Sequence, residues 1–452
     1  MLTLKQLADK IGAEYIGSDI CLQGAAFNSQ LVEKGMLFAA IVAERDGHQY
    51  INDAIKNGAS AVLVSVRQKI NVPQILVTDT RKALGALAKV WREQFSIPVI
   101  AITGSCGKTT TKDILGSMLS QKALTVVTEG NYNNDLGVPL MLFKIRPETK
   151  YAVIEVGTNS PGEIEYLAKI VQPTHALITN VSAQHLEGLK NIEGVLDEKA
   201  QLFKILLAQG VAIVNMDDGR VLEKSRSYDC QKQYYSMSNM EANVQFIEQK
   251  DLGEDMTQIT FQSDHKRYQF ETSLFGYHNI QNILAATTCA FALNISQEEI
   301  QRGLDHVEIT KGRFEKSHLS EKVVLVNDSY NASVSSVQAA IKTLNAFEGK
   351  RIFVMSNMGE LGEHEKYYHG ELGQWIAQSN IDQTYLYGDR KLLQETISVC
   401  EKCAVYCEDK ASIAEDISKG LDLNEPTIIL VKGSRANQME DVVNALMNRF
   451  HR

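Results

Sequence analysis

Thr103-Gly104-Ser105-Cys106-Gly107-Lys108-Thr109-Thr110-Thr111 sets two glycines, a lysine and a run of hydroxyls at a spacing suited to phosphate. Glycines at 104 and 107 let the backbone turn tightly enough for successive N–H groups to point at phosphate oxygens. Lys108 adds a point charge toward β- and γ-phosphates, and the Thr109 hydroxyl suits Mg²⁺. Against the GxxxxGK[ST] pattern one glycine is missing, because Ile102 stands in its place. The bland alternative is a glycine-containing strand-to-helix turn. Lys108, at the end of the loop, is expected to face solvent.

Three further residues stand out. Glu155 ends the apolar run YAVIE, at the carboxyl end of a parallel strand, where ligands bind in such sheets. There it is either a Mg²⁺ ligand or a solvated strand-end glutamate. His185, in NVSAQHLEG (180–188), is either a hydrogen-bonded loop histidine or a metal ligand. Lys199, in the periodic stretch IEGVLDEKAQLFKILL, reads on its own as a solvated helix lysine.

The elements that must position these groups are legible as alternation. IPVIAIT (97–103), YAVIEVG (151–157), HALITNV (175–181) and VAIVNMD (211–217) are short apolar runs, each followed by a helical pattern. That is the signature of a doubly wound α/β sheet. Polar and apolar residues alternate over 243–275, which predicts antiparallel strands leaning on that sheet. VVLVND (323–328), RIFVM (351–355), TYLYG (384–388) and TIILVKG (427–433) predict a second α/β domain. The first third is less regular, with strands at 61–66 and 74–79 and helices near 50–58 and 80–95.

A chain of 452 residues predicts about three domains at roughly 150 residues each. The balance of 46 Lys plus Arg against 55 Asp plus Glu gives a net charge of −9, which argues against a partner held through nucleic-acid phosphates. No run of about 18 apolar residues is present, so no membrane insertion is expected. The first twelve residues read as an amphipathic helix rather than a signal peptide. Seven cysteines are scattered. Cys400 and Cys403, at CEKC, face neither a second pair nor histidines, and reduced thiols in the cytoplasm are the better reading.

Eight segments, in chain order, carry a resemblance: TGSCGKTTTKD (103–113), GNYNNDLGVPL (130–140), EVGTNSPGEI (155–164), NVSAQHLEG (180–188), GYHNIQNILAA (276–286), KGRFE (311–315), NDSYNAS (327–333) and VKGSR (431–435). Together they resemble the cytoplasmic ATP-dependent Mur ligases of peptidoglycan synthesis. GNYNNxxGVPL and DSYNA look like the last ligase of that series.

The resemblance implies an α/β protein of three domains. These are a small α/β amino-terminal domain for the UDP end of the substrate (1–95), a central P-loop ATPase domain with a parallel sheet (96–310) and a carboxy-terminal Rossmann-like domain that closes over the nucleotide (311–452). It implies an ATP-dependent amide ligase that joins D-alanyl-D-alanine to UDP-N-acetylmuramoyl-tripeptide through an acyl phosphate, and a monomer is expected. ATP would be met by Gly104, Ser105, Cys106, Gly107, Lys108, Thr109 and Thr110, by Asn279 and Asn282 at the adenine, and by Arg313 and Asp328. Two Mg²⁺ ions would take Thr109, Glu155, His185 and a carbamylated Lys199. Lys108, Lys199, His185 and Arg313 would carry the catalysis. Ser29, Gln30, Asp46, Gly47 and His48 would meet the UDP end, and Asn133, Asn134, Tyr330 and Asn331 the dipeptide and stem.

Three departures stand out. Asn28-Ser29-Gln30 replaces the family's usual Asp-Ser-Arg, Ser160 stands where His is common, and Ser356-Asn357 replaces an expected Gly-Asp. Two rival readings are a folylpolyglutamate synthetase-like ligase, which should lack GNYNNDLGVPL and the UDP-type first domain, and a nucleotide-binding protein that lost turnover. Retention of Lys108, Glu155, His185, Lys199, Arg313 and Asp328 together argues against the second.

Overall fold

The computed structural model describes residues 1–206, 209–253, 255–400 and 404–450; Cys403 lies outside the described residues. Three sheets are formed, one in each third of the chain.

The central sheet has nine strands. Its strand Val99–Thr103 is fully shut from solvent, as expected of an apolar run with both faces covered. It lies between Tyr151–Glu155, where Ile102 pairs with Glu155, and His175–Ile178, where Thr103 pairs with Ile178. The phosphate-binding candidates and Glu155 therefore leave the same edge of neighbouring strands. Val211–Asn215 and Gln231–Ser236 extend the parallel part. Val244–Gly253, Met256–Ser263 and Lys266–Thr272 then run antiparallel. They do more than lean on the parallel sheet: pairing of Tyr235 with Val244 and Ser236 with Gln245 makes them its continuation. Thr125–Val127 closes the opposite edge.

The amino-terminal sheet runs in the order Glu14–Ile16, Gln74–Leu76, Ala61–Val64, Met36–Ala39, Gly24–Ala26. The helix Thr80–Arg92 starts on an Asp79 cap and buries Leu84, Leu87 and Trp91. The Trp91 indole N–H donates to the Ile145 carbonyl at 3.1 Å, tying the amino-terminal third to the central one. In the carboxy-terminal sheet Val323–Asp328, Thr427–Lys432, Lys350–Ser356, Gln383–Tyr387 and Ala404–Tyr406 are parallel neighbours. Glu315–His318 adds an antiparallel edge. Among the described residues no helix is long and apolar enough to cross a membrane.

Candidate active site

Val99–Thr103 delivers the chain into a tight loop, and the helix Lys108–Ser120 starts where it ends. Gly104, at φ +150°, could not carry a Cβ without placing it 1.9 Å from Thr179 Oγ1. At Gly107, φ +81°, a Cβ would stand 2.3 Å from Asn282 Oδ1. The segment after the neighbouring strand braces the loop. The Ser105 N–H donates to the Asn180 carbonyl (2.9 Å) and the Cys106 N–H to Asn180 Oδ1 (3.0 Å). The N–H groups of the helix's first turn, from Lys108 onward, remain for an anion.

Lys108 does not face solvent as expected. It is half-buried, and its Nζ donates to the Gly104 carbonyl at 2.6 Å. The loop curls around its own ammonium, and burial lowers the lysine's pKa.

Beside the loop lies a cleft of about 460 Å³. Ser105, Cys106, Gly107, Lys108, Thr109 and Thr110 line one wall, and His278, Asn279 and Asn282 stand next to them. The far wall comes from the carboxy-terminal third through Arg313, Asp328 and Asn331. Arg313 stacks over the Tyr330 ring at 3.9 Å, and its Nε is buried without a partner among the described residues. Asp328 and Lys432 face each other on paired strands and form an ion pair, with Lys432 only 1% exposed. His278 packs edge-on against Phe314, and burial pulls its pKa down to about 4, so it is neutral at pH 7. Asn282 Oδ1 accepts from Thr111 Oγ1 and Asn279 Nδ2 donates to the Phe275 carbonyl. The two walls touch where Cys106 Sγ meets Ser333 Oγ (3.0 Å) and Ser335 Oγ (2.9 Å). Ser182 Oγ adds a contact to Ser335 Oγ at 2.7 Å.

Glu155, His185 and Lys199 lie outside the lining of this cleft. Glu155 is 2% exposed, which rules out a solvated rim glutamate. Its Oε1 accepts from Asn133 Nδ2 at 2.7 Å, and its Oε2 is buried with no partner among the described residues. His185, at φ +53°, holds Nδ1 2.6 Å from Glu360 Oε2. That hydrogen bond keeps the Glu360 carboxyl below the usual range.

Lys199 corrects the reading made from its own helix. It is 1% exposed, and among the described residues its side chain makes no hydrogen bond or ion pair. Burial, with Lys108 adding repulsion, holds its pKa well below that of an ordinary lysine. The adjacent Glu198 is already committed, accepting from the Gly162 and Ile164 N–H groups at 2.7 Å each.

With this geometry, the comparisons with known proteins are direct. Residues 102–290 match the Mur ligase middle domain, and residues 312–435 match the Mur ligase, glutamate ligase domain. The chain is 35% identical to the UDP-N-acetylmuramoyl-tripeptide–D-alanyl-D-alanine ligase of Escherichia coli (strain K12) over 98% of both chains.

The chain belongs to the Mur ligase family.

The Bacillus subtilis (strain 168) ligase of the same name is 32% identical, over 94% of this Mur ligase and 93% of its own length. MurF from Acinetobacter baumannii superposes with a TM-score of 0.87 at 32% identity, covering 99% and 98% of the two chains. The MurF ligase from Thermotoga maritima, solved in complex with ADP, gives 0.84 at 26% identity, covering 95% and 98%.

Of the other candidates of this Mur ligase, Asn331 lines the cleft and the rest lie apart from its lining. In the amino-terminal sheet region Asp46 Oδ1 stands 2.6 Å from His48 Nδ1, and His48 Nε2 accepts the Ser65 N–H at 3.0 Å. Gly47 is required by close approach, since a Cβ there would lie 2.6 Å from the Ile41 backbone. Ser29 is buried, Gln30 is exposed, and Asn28 caps the turn between them through the Gln30 N–H. Asn134 Oδ1 accepts from the Leu136 and Gly137 N–H groups, so this side chain shapes its own loop. Asn331 likewise turns its Oδ1 to the Ala332 N–H. Of the departures, Ser356 is fully buried and its Oγ accepts from the Ser434 N–H and Asn437 Nδ2.

Sequence reasoning assigned no role to Lys432 or Glu360, although VKGSR contains the first. Each acts on a residue more than a hundred positions away, and no local spacing reports that.

Proposed function

We propose that this Mur ligase joins D-alanyl-D-alanine to UDP-N-acetylmuramoyl-tripeptide, cleaving ATP to ADP and phosphate, in the last cytoplasmic step toward the pentapeptide precursor. The observation that carries the reading is a nucleotide-sized cleft shared by the phosphate loop and Arg313 and Asp328, in a chain similar end to end to ligases of that name. Residues 1–95 hold the UDP end, 96–310 the nucleotide, and 311–452 supply the closing wall. Ser29, Gln30, Asp46, Gly47 and His48 face the UDP moiety. Asn133, Asn134, Tyr330 and Asn331 border the place where dipeptide and stem meet.

The tripeptide carboxylate attacks the γ-phosphorus, ADP leaves, and the dipeptide amine then displaces phosphate from the acyl phosphate. An anion attacking an anion is repelled, so cationic groups must be in place beforehand. Lys108 presents its ammonium inside the loop, and Arg313, flat against Tyr330, presents its guanidinium from the opposite wall. Gly104 through Thr110 embrace the phosphates, Asn279 and Asn282 border the adenine, and Asp328, held by Lys432, faces the nucleotide. The contacts of Ser333 and Ser335 on Cys106 bring the two walls together, which keeps water from the acyl phosphate.

The residues present also fit Mg²⁺. Among the described residues no three His, Cys, Asp or Glu converge on one point, so an ion here would rest on mixed oxygen donors, water and phosphate, as Mg²⁺ prefers. Thr109 and Glu155, whose Oε2 lacks a partner, would hold one ion, and His185 and Lys199 a second. A buried lysine held toward its neutral amine can add CO₂, and the carbamate so formed offers two oxygens where the ammonium offered a charge. Bound there, Mg²⁺ supplies charge neutralisation at the transferring phosphoryl group.

A phosphate-release assay on the purified protein tests the reading. Release should require both UDP-N-acetylmuramoyl-tripeptide and D-alanyl-D-alanine, with the pentapeptide found by mass spectrometry. Release with a folate and glutamate instead, or none with any acceptor, would refute it.

A further inference from the structure

The connection between the central and carboxy-terminal sheets is fastened at a point outside the cleft. Thr310 lies in it, between the helix Gln297–Asp305 and the strand Glu315–His318. Asp113 Oδ2 accepts from both the Thr310 N–H (3.2 Å) and the Thr310 hydroxyl (2.9 Å). Asp113 belongs to the helix Lys108–Ser120 that starts at the phosphate loop. Its other oxygen is 2.6 Å from Lys112 Nζ, which is nearly buried and also donates to the Thr128 carbonyl. The carboxylate is thereby fixed from behind while it grips the connection in front.

Three residues beyond Thr310 stands Arg313. The segment between is pinned from the other side too, since the Tyr330 N–H donates to the Gly312 carbonyl at 3.0 Å and the Tyr330 ring carries the guanidinium. One helix thus runs from Lys108, on the near wall of the cleft, to the carboxylate that anchors the connection leading to Arg313 on the far wall.

We propose that Asp113 is a positioning residue: by holding Thr310 it sets where Arg313 stands relative to Lys108, and so where the carboxy-terminal wall closes. The proposal rests on the reading of Arg313 as a nucleotide-facing group. An anchor of this kind affects the step in which both cations must meet the phosphates together and leaves UDP-substrate binding alone.

Steady-state kinetics of the full chain test it through a mutant cycle. Asp113→Ala should lower kcat by about tenfold to a hundredfold, the range expected when a reacting geometry slips by up to an ångström, with KM for the UDP-tripeptide unchanged. Asp113→Asn keeps an acceptor for Thr310 and should recover most of the loss. In an Arg313→Ala background, adding Asp113→Ala should cost nothing further, because the residue it positions is already gone. Independent, multiplying losses in that background would overturn the proposal, as would wild-type kcat in Asp113→Ala. Thr310→Val removes only the hydroxyl contact and gives the same test should the alanine variant misfold; it should lower kcat a few-fold and be silent without Arg313. Wild-type turnover in Arg313→Ala alone would instead refute the nucleotide-facing reading, and the proposal with it.

Discussion

The phosphate-loop cleft and the Asp46–His48 turn near the amino-terminal sheet treat polar groups in opposite ways. Around the turn, donors and acceptors are matched: the two nitrogens of His48 are both engaged, and Asn28 caps its neighbour. In and beside the cleft, polar atoms are buried and left waiting. Glu155 Oε2, Arg313 Nε and His278 Nδ1 have no partner among the described residues. A buried polar atom without a partner costs about 1–3 kcal/mol, so such a cluster is retained where a bound group satisfies it. Of the two regions, only the cleft and its surroundings hold buried polar atoms left unmet.

The contrast predicts unequal costs of substitution. Lys108→Ala should lower ATP-dependent ligation by about a thousandfold, the scale for losing a preorganised charge-stabilising group, while the melting temperature stays near wild type because the side chain is only half-buried. Near-normal turnover would remove the phosphate loop from the chemistry. Lys199→Ala should lose about a hundredfold in activity, and added formate or acetate should restore part of it by filling the carboxylate position. Full activity without the lysine would show that its burial is unrelated to catalysis.

A third expectation concerns stability. His175 and His278 are both pulled down to about 4 by burial. As pH falls below 6.5 the unfolded chain binds protons that these folded-state imidazoles refuse, so stability falls between pH 6.5 and about 4 and this contribution then levels off. Each histidine should contribute about 3 kcal/mol to the fall. Urea midpoints measured across that range would register it, and His278→Asn should flatten the curve. The smallest effect belongs to the satisfied region. Gln30 is exposed, and a guanidinium pairs with a diphosphate where an amide cannot, so Gln30→Arg should leave KM for the UDP substrate unchanged or lower it. A large rise would show that the position is shaped around another group.

What could be read in the sequence follows the same division. TGSCGKTTT was legible because its parts are contiguous and flanked by a strand and a helix, and the apolar runs around it were legible because both their faces are covered. The strands Gly24–Ala26 and Met36–Ala39 are too short to show a period, and both went unforeseen. Lys108 was misjudged because the reading treated the loop as open, whereas its own carbonyls fold onto the ammonium. Lys199 looked solvated because its helix is flanked by charges, and only the packing of Val195, Leu202 and Phe203 on the same side reveals an inward face. The partners Lys432 and Glu360 were invisible for a different reason: they are joined to the site by chain topology rather than by spacing.

That topology also dates the site's assembly during synthesis. Cys106 is 229 residues from Ser335, and Asp328 is 104 residues from Lys432. At a translation rate of about 5–20 residues per second, the phosphate loop leaves the ribosome well before the residues that roof it. Asp328 then waits roughly 5–20 s more for its lysine. A nascent chain can therefore carry a folded phosphate loop while still unable to spend ATP, and the capacity to consume nucleotide arrives only when the last wall is threaded into its sheet.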